Sequence, residues 1–407
     1  MSRIGNAIIV GGGIGGPVAA MALRRAGIEA TVYEAYDGSA DGVGGALSIA
    51  PNGRTALAAI GAEAAVAAIG HPMRAMVMQS WKGKRLAEFG APPGLPEQLL
   101  VWRSDLYRAL HDEAGRRGIR IEHGKRLVTL ADSTAGGDGR VVAHFSDGTS
   151  AAGDVLIGAD GIRSTVRRLI DPGAPEPRYA GLLGFGARTS GDGLVPTGDK
   201  MHMVFGKRAF FGFQVGPGES GWFANLPHPV PMSAAEVRRI GAAEWLRRLA
   251  EVFRDDRSPA VELIRRTAPE DLVITGGLED IPSVPTWHRG RVVLVGDAAH
   301  ATSPSSGQGA SLAVESAVQL ARCLRDLPVP EAFAAYEGLR RDRVERIIRM
   351  AARTNSDKAA GPAARVLRDL LMPVAMRLLA NPGKWAWQFD YPIDWAAPVT
   401  APARAGA

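Results

Sequence analysis

Residues 6–34 read NAIIVGGGIGGPVAAMALRRAGIEATVYE and contain the pattern that decides the fold. The apolar run from Ala7 to Val10 is typical of a buried strand, and the alanine-rich stretch that reaches Ala26 is typical of a helix. A glycine-rich turn at residues 11–16 connects the two, and a second strand follows at residues 30–33. This order predicts a βαβ unit in which the helix N-terminus binds the pyrophosphate of a dinucleotide.

The glycines of the turn have separate physical roles. Gly11, Gly13 and Gly16 satisfy the pattern G-x-G-x-x-G, with Ile14 and Gly15 between the second and the third glycine. The first glycine permits the tight turn, the second lets backbone approach the pyrophosphate, and the third lets the helix pack on the strand. The turn is therefore predicted to bind a cofactor.

An acidic residue ends the second strand. Glu34 lies 18 residues after Gly16, close to the spacing of about 20 expected of the carboxylate that binds the ribose hydroxyls. The strand, turn, helix, second strand and acid thus occur in the order and at about the spacing that a dinucleotide-binding unit requires. The motif predicts a dinucleotide and does not distinguish FAD from NAD.

Composition limits the class of protein. The chain has 407 residues, of which 46% are apolar, so it can form two domains or one large domain with an appendage. Lys and Arg exceed Asp and Glu by 48 to 42, but the basic residues are scattered or paired with acids four residues away, as in residues 338–353. This distribution indicates a solvated helix face and argues against a nucleic-acid partner.

The remaining composition indicates a cytoplasmic protein. The expected oligomeric state is a monomer or a homodimer, and the sequence does not distinguish the two. Cys323 is the single cysteine, so neither an internal disulfide nor a cysteine metal cluster is expected, and no metal site is predicted. The sequence contains no run of 18 apolar residues, so no membrane span is predicted. The first strand begins so close to Met1 that no signal peptide is expected.

Two kinds of sheet alternate along the chain. Residues 73–99 and 177–269 show hairpin and meander patterns, which predict an antiparallel substrate domain. The other segments combine apolar strands with helices, and the aromatic stretch at residues 385–395 is interpreted as a packing seam. The predicted dinucleotide domain consists of residues 1–72, 100–176 and 270–330, followed by a helical region at 331–395 and a disordered tail at 396–407.

Two further strings place an acid and a glycine where a strand passes into a helix. Residues 154–167 read DVLIGADGIRSTVR and include Asp160 and Gly161, and residues 292–300 read VVLVGDAAH and include Asp297. PSSGQG, residues 304–309, opens the next helix.

Together with residues 11–16, these strings resemble the single-component FAD-dependent aromatic hydroxylases of the para-hydroxybenzoate hydroxylase type. The resemblance covers about residues 4–395, and three separated motifs occur in the family's order and approximate spacing. It implies an α/β fold in which a Rossmann-like FAD-binding domain is interrupted by an antiparallel β-sheet substrate domain and followed by C-terminal helices. It also implies non-covalent FAD, NADPH or NADH as electron donor, and O2 as co-substrate.

The resemblance assigns positions to the cofactor. Arg103 is similar to the family arginine at the ribityl–pyrophosphate region, and Arg163 is a candidate for binding NAD(P)H. Alternatively Arg103 and Arg163 are surface residues, and Asp160 and Asp297 merely cap helices. The implied FAD set is Gly11, Gly13, Ile14, Gly15, Gly16, Glu34, Arg103, Asp160, Asp297, Pro304, Gly307, Gly309 and Ala310.

The substrate pocket is predicted on one face of the meander. A turn with Phe205 opposite Ala209, and a second loop with Val215 opposite Gly221, would align soft and aromatic side chains. The predicted face carries Met201, Met203, Phe211, Phe213 and Phe223, of which Met203, Phe211, Phe213 and Phe223 are the candidate substrate residues. A slip of one residue in either turn would exchange the faces.

The resemblance implies that a small aromatic, phenolic or heteroaromatic compound is hydroxylated through a flavin C4a-hydroperoxide. The flavin carries the chemistry, so no catalytic side chain is assigned. The alternatives are an epoxidase or Baeyer–Villiger-type oxygenase acting on a polyketide or antibiotic, a flavin-dependent alkene reductase, and a drug-sequestering flavoprotein without turnover.

Overall fold

The βαβ unit predicted from residues 6–34 is present in the computed structural model, which describes residues 4–38, 44–90, 93–132, 139–216, 218–358, 361–379 and 386–401. β1 (Asn6–Val10) leads through the glycine turn into α1 (Gly15–Arg25) and then into β2 (Glu29–Tyr33). β1 is buried because neighbouring strands pair with both of its edges, and α1 and residues 150–153 pack against it; Ile9 is fully enclosed.

β1 and β2 lie in the middle of a six-stranded sheet, ordered β18-β19-β12-β1-β2-β8. Neighbouring strands are parallel except for the antiparallel pair of β18 with β19. This arrangement confirms the predicted α/β class. The added strands are β8 (Arg120–Glu122), β12 (Val155–Gly158), β18 (His288–Arg289) and β19 (Val292–Leu294).

Helices and two small sheets surround this sheet. The helices are α2 (Pro51–Ala58), α3 (Glu63–Ala67), α4 (Arg103–Arg116), α5 (Thr165–Ile170), α9 (Asp297–His300), α10 (Gly309–Asp326), α11 (Val329–Lys358) and α12 (Pro362–Leu379). The small sheets are β3 (Ala46–Ile49), β7 (Gln98–Trp102) and β4 (His71–Met73), and β11 (Ser150–Gly153), β10 (Val141–Phe145) and β9 (Leu127–Asp132). Within the described part of the chain, no helix is long and apolar enough to cross a membrane.

A seven-stranded sheet forms the second layer, in the order β17-β13-β16-β15-β14-β5-β6. Its pairs are antiparallel apart from β14 with β5. Its strands are β5 (Ala75–Ser80), β6 (Arg85–Gly90), β13 (Arg178–Ser190), β14 (Lys200–Phe205), β15 (Phe210–Val215), β16 (Glu219–Pro227) and β17 (Val273–Asp280), and α6 (Ala234–Ile240), α7 (Ala242–Val252) and α8 (Ala260–Arg265) cover one face.

One strand corrects the predicted domain boundaries. β17 lies within residues 270–330, which were predicted for the dinucleotide domain, yet it pairs with β13 in the large sheet. Gly276 and Gly277 interrupt its alternation of side chains, so the sequence pattern does not reveal the strand.

The register of the large sheet differs from the prediction. Phe205 pairs with Phe210, so the first turn has one residue more than predicted, and Val215 pairs with Ser220, so the second loop has one residue fewer. As a result Phe211 and Phe213 lie on the opposite face, where they pack with Trp222, Phe253 and the other residues beneath α7 and α8. The prediction that Phe211 and Phe213 share a face with Met203 and Phe223 is wrong.

The first turn is one residue longer than predicted and the second loop one residue shorter, so the predicted relation between the faces of β14 and β16 is unchanged. Met203 pairs with Gly212, and Gly212 pairs with Phe223, so Met203 and Phe223 share a face as predicted. Because the predicted substrate residues Met203 and Phe223 lie on it, we call this the substrate face. Its members on β14, β15 and β16 are Met201, Met203, Phe205, Phe210, Gly212, Gln214, Gly221, Phe223 and Asn225.

The C-terminal segment is a packing seam, as predicted, although Trp385 lies outside the described residues. The guanidinium of Arg346 lies 3.7 Å from the ring centroid of Trp387, and that of Arg343 lies 4.4 Å from the Tyr391 ring. The expected disordered tail is wrong for residues 396–401, because Ala397 O accepts from Arg322 at 2.9 Å and Val399 N–H donates to Asp326 at 2.8 Å. Residues 402–407 lie outside the described range.

Candidate functional site

The glycine turn and the second motif pack directly on one another. Gly11 has a φ of 108°, and a Cβ on it would lie 2.4 Å from Ala159 O. A Cβ on Gly16 would lie 1.9 Å from Gly11 O, which is far inside contact distance. Only glycine fits at these two positions, because any side chain would displace backbone.

The N-terminus of α1 is open to an anion. No side chain caps it and its first turn contains no acid, so its first backbone N–H groups keep their hydrogen-bonding capacity. A Cβ on Gly13 would meet nothing within 4 Å, which shows that the turn faces open space at this position. The free donors and the positive end of the helix dipole favour a phosphate there.

Glu34 lies beside the same turn. Its Oε2 accepts from Gly12 N–H at 2.6 Å, and its Oε1 accepts from Tyr36 N–H at 3.0 Å. These bonds hold the carboxylate at the end of β2 next to α1. Its contact with a ribose stays a prediction.

A histidine that the sequence analysis missed also contacts the turn. His111 Nε2 lies 2.6 Å from Gly12 O, and burial lowers the pKa of this histidine. Arg103, Tyr107 and His111 follow one another at four-residue spacing on α4, so a helical stripe from Arg103 could have revealed it.

Asp160 caps a helix, which is the alternative considered for it. Its Oδ1 accepts from Ser164 Oγ at 2.5 Å and its Oδ2 accepts from Val166 N–H at 3.0 Å, at the start of α5. Burial raises its pKa against the effect of these bonds. Its contribution to a cofactor site stays a prediction.

Asp297 and Arg103 lie near one another. Both side chains are exposed, yet protein surrounds Asp297 on most sides, and this loss of hydration raises its pKa while the charge of Arg103 lowers it. Arg103 N–H donates to Gly45 O at 3.2 Å, and a Cβ on Gly44 would lie 2.5 Å from Arg103 Cδ. An accessible carboxylate enclosed by protein is typical of a ligand cleft.

The N-terminus of α10 opens into the same region. Residues 304–306 form a 3₁₀ turn, Gly307 is left-handed with a φ of 61°, and α10 begins at Gly309 with no side-chain cap and no acid in its first turn. A Cβ on Gly15 would lie 3.9 Å from Ala313 Cβ, and one on Gly296 would lie 3.1 Å from it. The Cβ on Gly15 would also lie 4.0 Å from Ala159 Cβ of the second motif, so the three motifs meet beside Ala313, near the start of α10.

This arrangement fits a long, doubly phosphorylated cofactor. It offers two helix N-termini without caps, two flanking carboxylates and an accessible arginine. Two separate phosphate-sized sites would not require the third motif, whereas a dinucleotide with a polar ring system would. Among the described residues, no group of three or more His, Cys, Asp or Glu side chains could hold a metal ion.

Comparison with known proteins agrees with this geometry. The family model described as "FAD binding domain" matches residues 5–351. The chain belongs to this FAD-binding family.

Its relatives include proteins named as FAD-dependent hydroxylases and monooxygenases, and this chain is an FAD-dependent monooxygenase, as predicted. It is 34% identical over 353 residues to the FAD-dependent urate hydroxylase of Klebsiella pneumoniae, covering 84% of this chain and 88% of the relative. It is 30% identical over 390 residues to the 6-hydroxynicotinate 3-monooxygenase of Pseudomonas fluorescens, covering 88% and 94%. The crystal structure of Klebsiella pneumoniae HpxO complexed with FAD and uric acid superimposes with a TM-score of 0.83 at 28% identity, covering 95% of this chain and 97% of that one.

The substrate face of this monooxygenase is turned toward the FAD-binding domain. A Cβ on Gly221 would lie 3.3 Å from Trp102 Cζ2, and Asn225 Oδ1 accepts from Lys358 Nζ at 2.8 Å. Arg188, which pairs with Gly221 in the sheet, forms an ion pair with Asp105 on α4. These contacts place the face next to α4, which carries Arg103, and Lys358 links it to Ser305 in the loop before α10. We call the region between this face and the three motifs the cleft.

Arg163 lies at the surface, where it links the second motif to β17 of the large sheet. Its side chain is 67% exposed and its Nη2 donates to Glu279 Oε1 at 2.8 Å. An exposed ion pair of this kind contributes little to stability, so Arg163 is free to exchange its partner for a phosphate.

We expect Arg103→Ala and Asp297→Ala each to weaken FAD binding by about 1–3 kcal/mol, because each removes a charged partner from the cleft. Glu34→Ala should have a similar effect at the ribose. Fluorescence titration of the FAD-free protein measures the affinity, and Arg116→Ala, an exposed arginine on the same helix, is the control. Parent affinity in all three variants would remove these residues from the site.

Proposed function

We propose that this monooxygenase hydroxylates a small aromatic or heteroaromatic compound, using FAD, O2 and either NADPH or NADH. The observation that supports the proposal most strongly is the cleft between the three FAD motifs and the substrate face. The names of the relatives add support, since urate and 6-hydroxynicotinate are heteroaromatic rings.

The residues present fit FAD. Residues 11–16 and the N-terminus of α1 would hold the pyrophosphate, Glu34 the ribose, and Arg103 and Asp297 the chain between pyrophosphate and ring. Residues 304–310 would place the N-terminus of α10 against the ring. When bound, FAD supplies electron transfer from the nicotinamide and oxygen transfer to the substrate.

The chain contributes charge and shape to this chemistry. The positive end of the α10 dipole stabilises negative charge on the adjoining part of a bound ring system. Met203, Phe210 and Phe223 offer flat, apolar surface to an aromatic guest and exclude water from it. Pockets of this kind bind by apolar contact and orient by a few polar groups.

The proposal includes a division into an FAD-binding domain and a substrate domain formed mainly by residues 73–99 and 177–280. It also includes a cytoplasmic location and a monomer or homodimer.

Phe223→Ala is expected to uncouple NAD(P)H oxidation from product formation while FAD stays bound, because Phe223 lies on the substrate face. Phe213→Ala is the matched control on the opposite face, where Phe213 is 4% exposed within the core beneath α7 and α8. Its loss should lower the free energy of unfolding by about 3–5 kcal/mol with coupling unchanged. Uncoupling by Phe213→Ala alone would place the pocket on the other face.

Arg163→Ala is expected to raise the apparent KM for NADPH or NADH without loss of FAD, because it removes an exposed cation beside the cleft. Steady-state reduction kinetics measure the effect. Arg168→Ala, an exposed arginine on α5, is the control. Unaltered kinetics in the Arg163 variant would exclude Arg163 from the NAD(P)H site.

A compound screen tests the proposed function. The FAD-loaded protein is mixed with hydroxylated aromatic compounds and NADPH or NADH, and stimulated oxidation is followed by mass and NMR analysis of the products. A hydroxylated ring supports the proposal. An epoxide or an inserted ring oxygen, a gain of two hydrogens, or flavin that stays oxidised with ligand present would each contradict it.

A further inference from the structure

Lys358, the last residue of α11, connects the two walls of the cleft. Its Nζ donates to Asn225 Oδ1 at 2.8 Å and to Ser305 Oγ at 2.9 Å. Asn225 belongs to the substrate face, and Ser305 belongs to the loop that precedes α10. The ammonium therefore lies between the substrate face and the FAD motif.

The surroundings of Lys358 are apolar or neutral. Its Nζ lies 4.2 Å from the ring centroid of Phe210 and 6.0 Å from that of Phe223. Burial lowers the pKa of Lys358 to about 7, and no charged side chain in the described part of the chain offsets that cost. An ammonium has three donors, and two of them are used here.

The bond from Lys358 to Ser305 is not needed to hold α11 against the loop before α10. Ser303 Oγ donates to Asn355 Oδ1 at 3.0 Å, one helical turn before Lys358, so α11 is already tied to the loop before α10. A cation without a counter-charge in a half-buried position is costly, and an anionic ligand would remove that cost.

We propose that Lys358 is a substrate-binding residue that selects aromatic anions, carboxylates or phenolates, over neutral rings of the same shape. The inference rests on the proposed function only in placing the substrate against the substrate face. An anion that accepts the third N–H of Lys358 would keep its ring near Phe210 and Phe223.

Matched acid and amide probes test this selectivity in the FAD-loaded protein without NAD(P)H. The pairs are 6-hydroxynicotinate with 6-hydroxynicotinamide, salicylate with salicylamide, and 4-hydroxybenzoate with 4-hydroxybenzamide, and binding is measured from changes in flavin absorbance. The parent should bind at least one acid about tenfold or more tightly than its amide. Lys358→Met should abolish that preference and leave amide binding within about twofold, whereas Lys358→Arg should keep part of it.

Lys207→Met is the control, because Lys207 lies at the hairpin turn and pairs with Asp255 at 3.0 Å. It should keep the acid preference of the parent. No acid preference in the parent for any pair, or a preference that survives in Lys358→Met, would overturn the inference. Loss of FAD in both Lys358 variants would also overturn it, since that result assigns a structural role. Acid selectivity in a protein whose flavin NAD(P)H cannot reduce would contradict the proposed function alone.

Discussion

Gly16→Ala is expected to lower the free energy of unfolding by about 3 kcal/mol or more and to prevent FAD binding. The added methyl group would lie 1.9 Å from Gly11 O, so the turn and α1 must separate. Thermal and urea unfolding of the FAD-free protein measure the first effect, and flavin fluorescence measures the second.

Gly13→Ala is the matched variant in the same turn. Its methyl group meets nothing within 4 Å, so the stability of the FAD-free protein should change by no more than about 0.5 kcal/mol. FAD affinity should nevertheless fall about tenfold or more, because the methyl group occupies space that the pyrophosphate needs. Parent stability in Gly16→Ala, or parent FAD affinity in Gly13→Ala, would contradict the assigned roles of these glycines.

Glu315→Gln is expected to lower the free energy of unfolding by about 3–5 kcal/mol. Glu315 is fully buried in α10, where it forms ion pairs with the buried Arg340 and, at 2.9 Å, with Arg343. Neutralising it leaves two cations of α11 without their counter-charge. Since α10 carries the N-terminus that we propose faces FAD, FAD retention should fall as well.

The control for this change is Glu345→Gln on α11. Glu345 pairs with Arg341 at 3.1 Å, but its side chain is 21% exposed and water can replace the interaction. Its loss should cost no more than about 1 kcal/mol. Equal effects of the two substitutions in urea unfolding would show that the pairs of Glu315 contribute no more than surface ion pairs.

The FAD-binding part of the fold can be predicted from the sequence because residues close together in the chain specify it. Residues 6–34 specify strand, turn, helix and strand by short-range pattern, and the glycines are required by backbone contacts within the unit. The pattern also determines which helix end faces the cofactor. The structure confirms the α/β class on this basis, and the family match confirms the resemblance.

The strand register of the large sheet cannot be predicted from the sequence, because residues distant in the chain determine the lengths of its turns. Lys207 N–H donates to Asp256 Oδ1 at 3.0 Å, which holds the first hairpin in its longer turn. Val215 N–H donates to Thr197 Oγ1 at 3.1 Å, which fixes the strand before the second loop. Neither partner can be inferred from the hairpin itself, so the central strand is the one whose faces were exchanged.

The same limit applies to the cleft. Lys358 lies 133 residues from Asn225 and 53 residues from Ser305, and no motif marks it. By contrast, Asp160 and Asp297 follow apolar strands and could be found by their position. Asp160 shows that one motif position is compatible with two roles, since the carboxylate predicted to bind the cofactor also accepts hydrogen bonds from Ser164 and Val166 at the start of α5.

Oxygen-isotope labelling tests the monooxygenase reaction most directly. The FAD-loaded protein turns over the aromatic compound that most strongly stimulates NAD(P)H oxidation, once under ¹⁸O₂ in ordinary water and once under ordinary O₂ in H₂¹⁸O. The expected product carries one ¹⁸O atom from ¹⁸O₂ and none from water. A product without label from ¹⁸O₂, or with label from water, would contradict oxygen transfer by this protein.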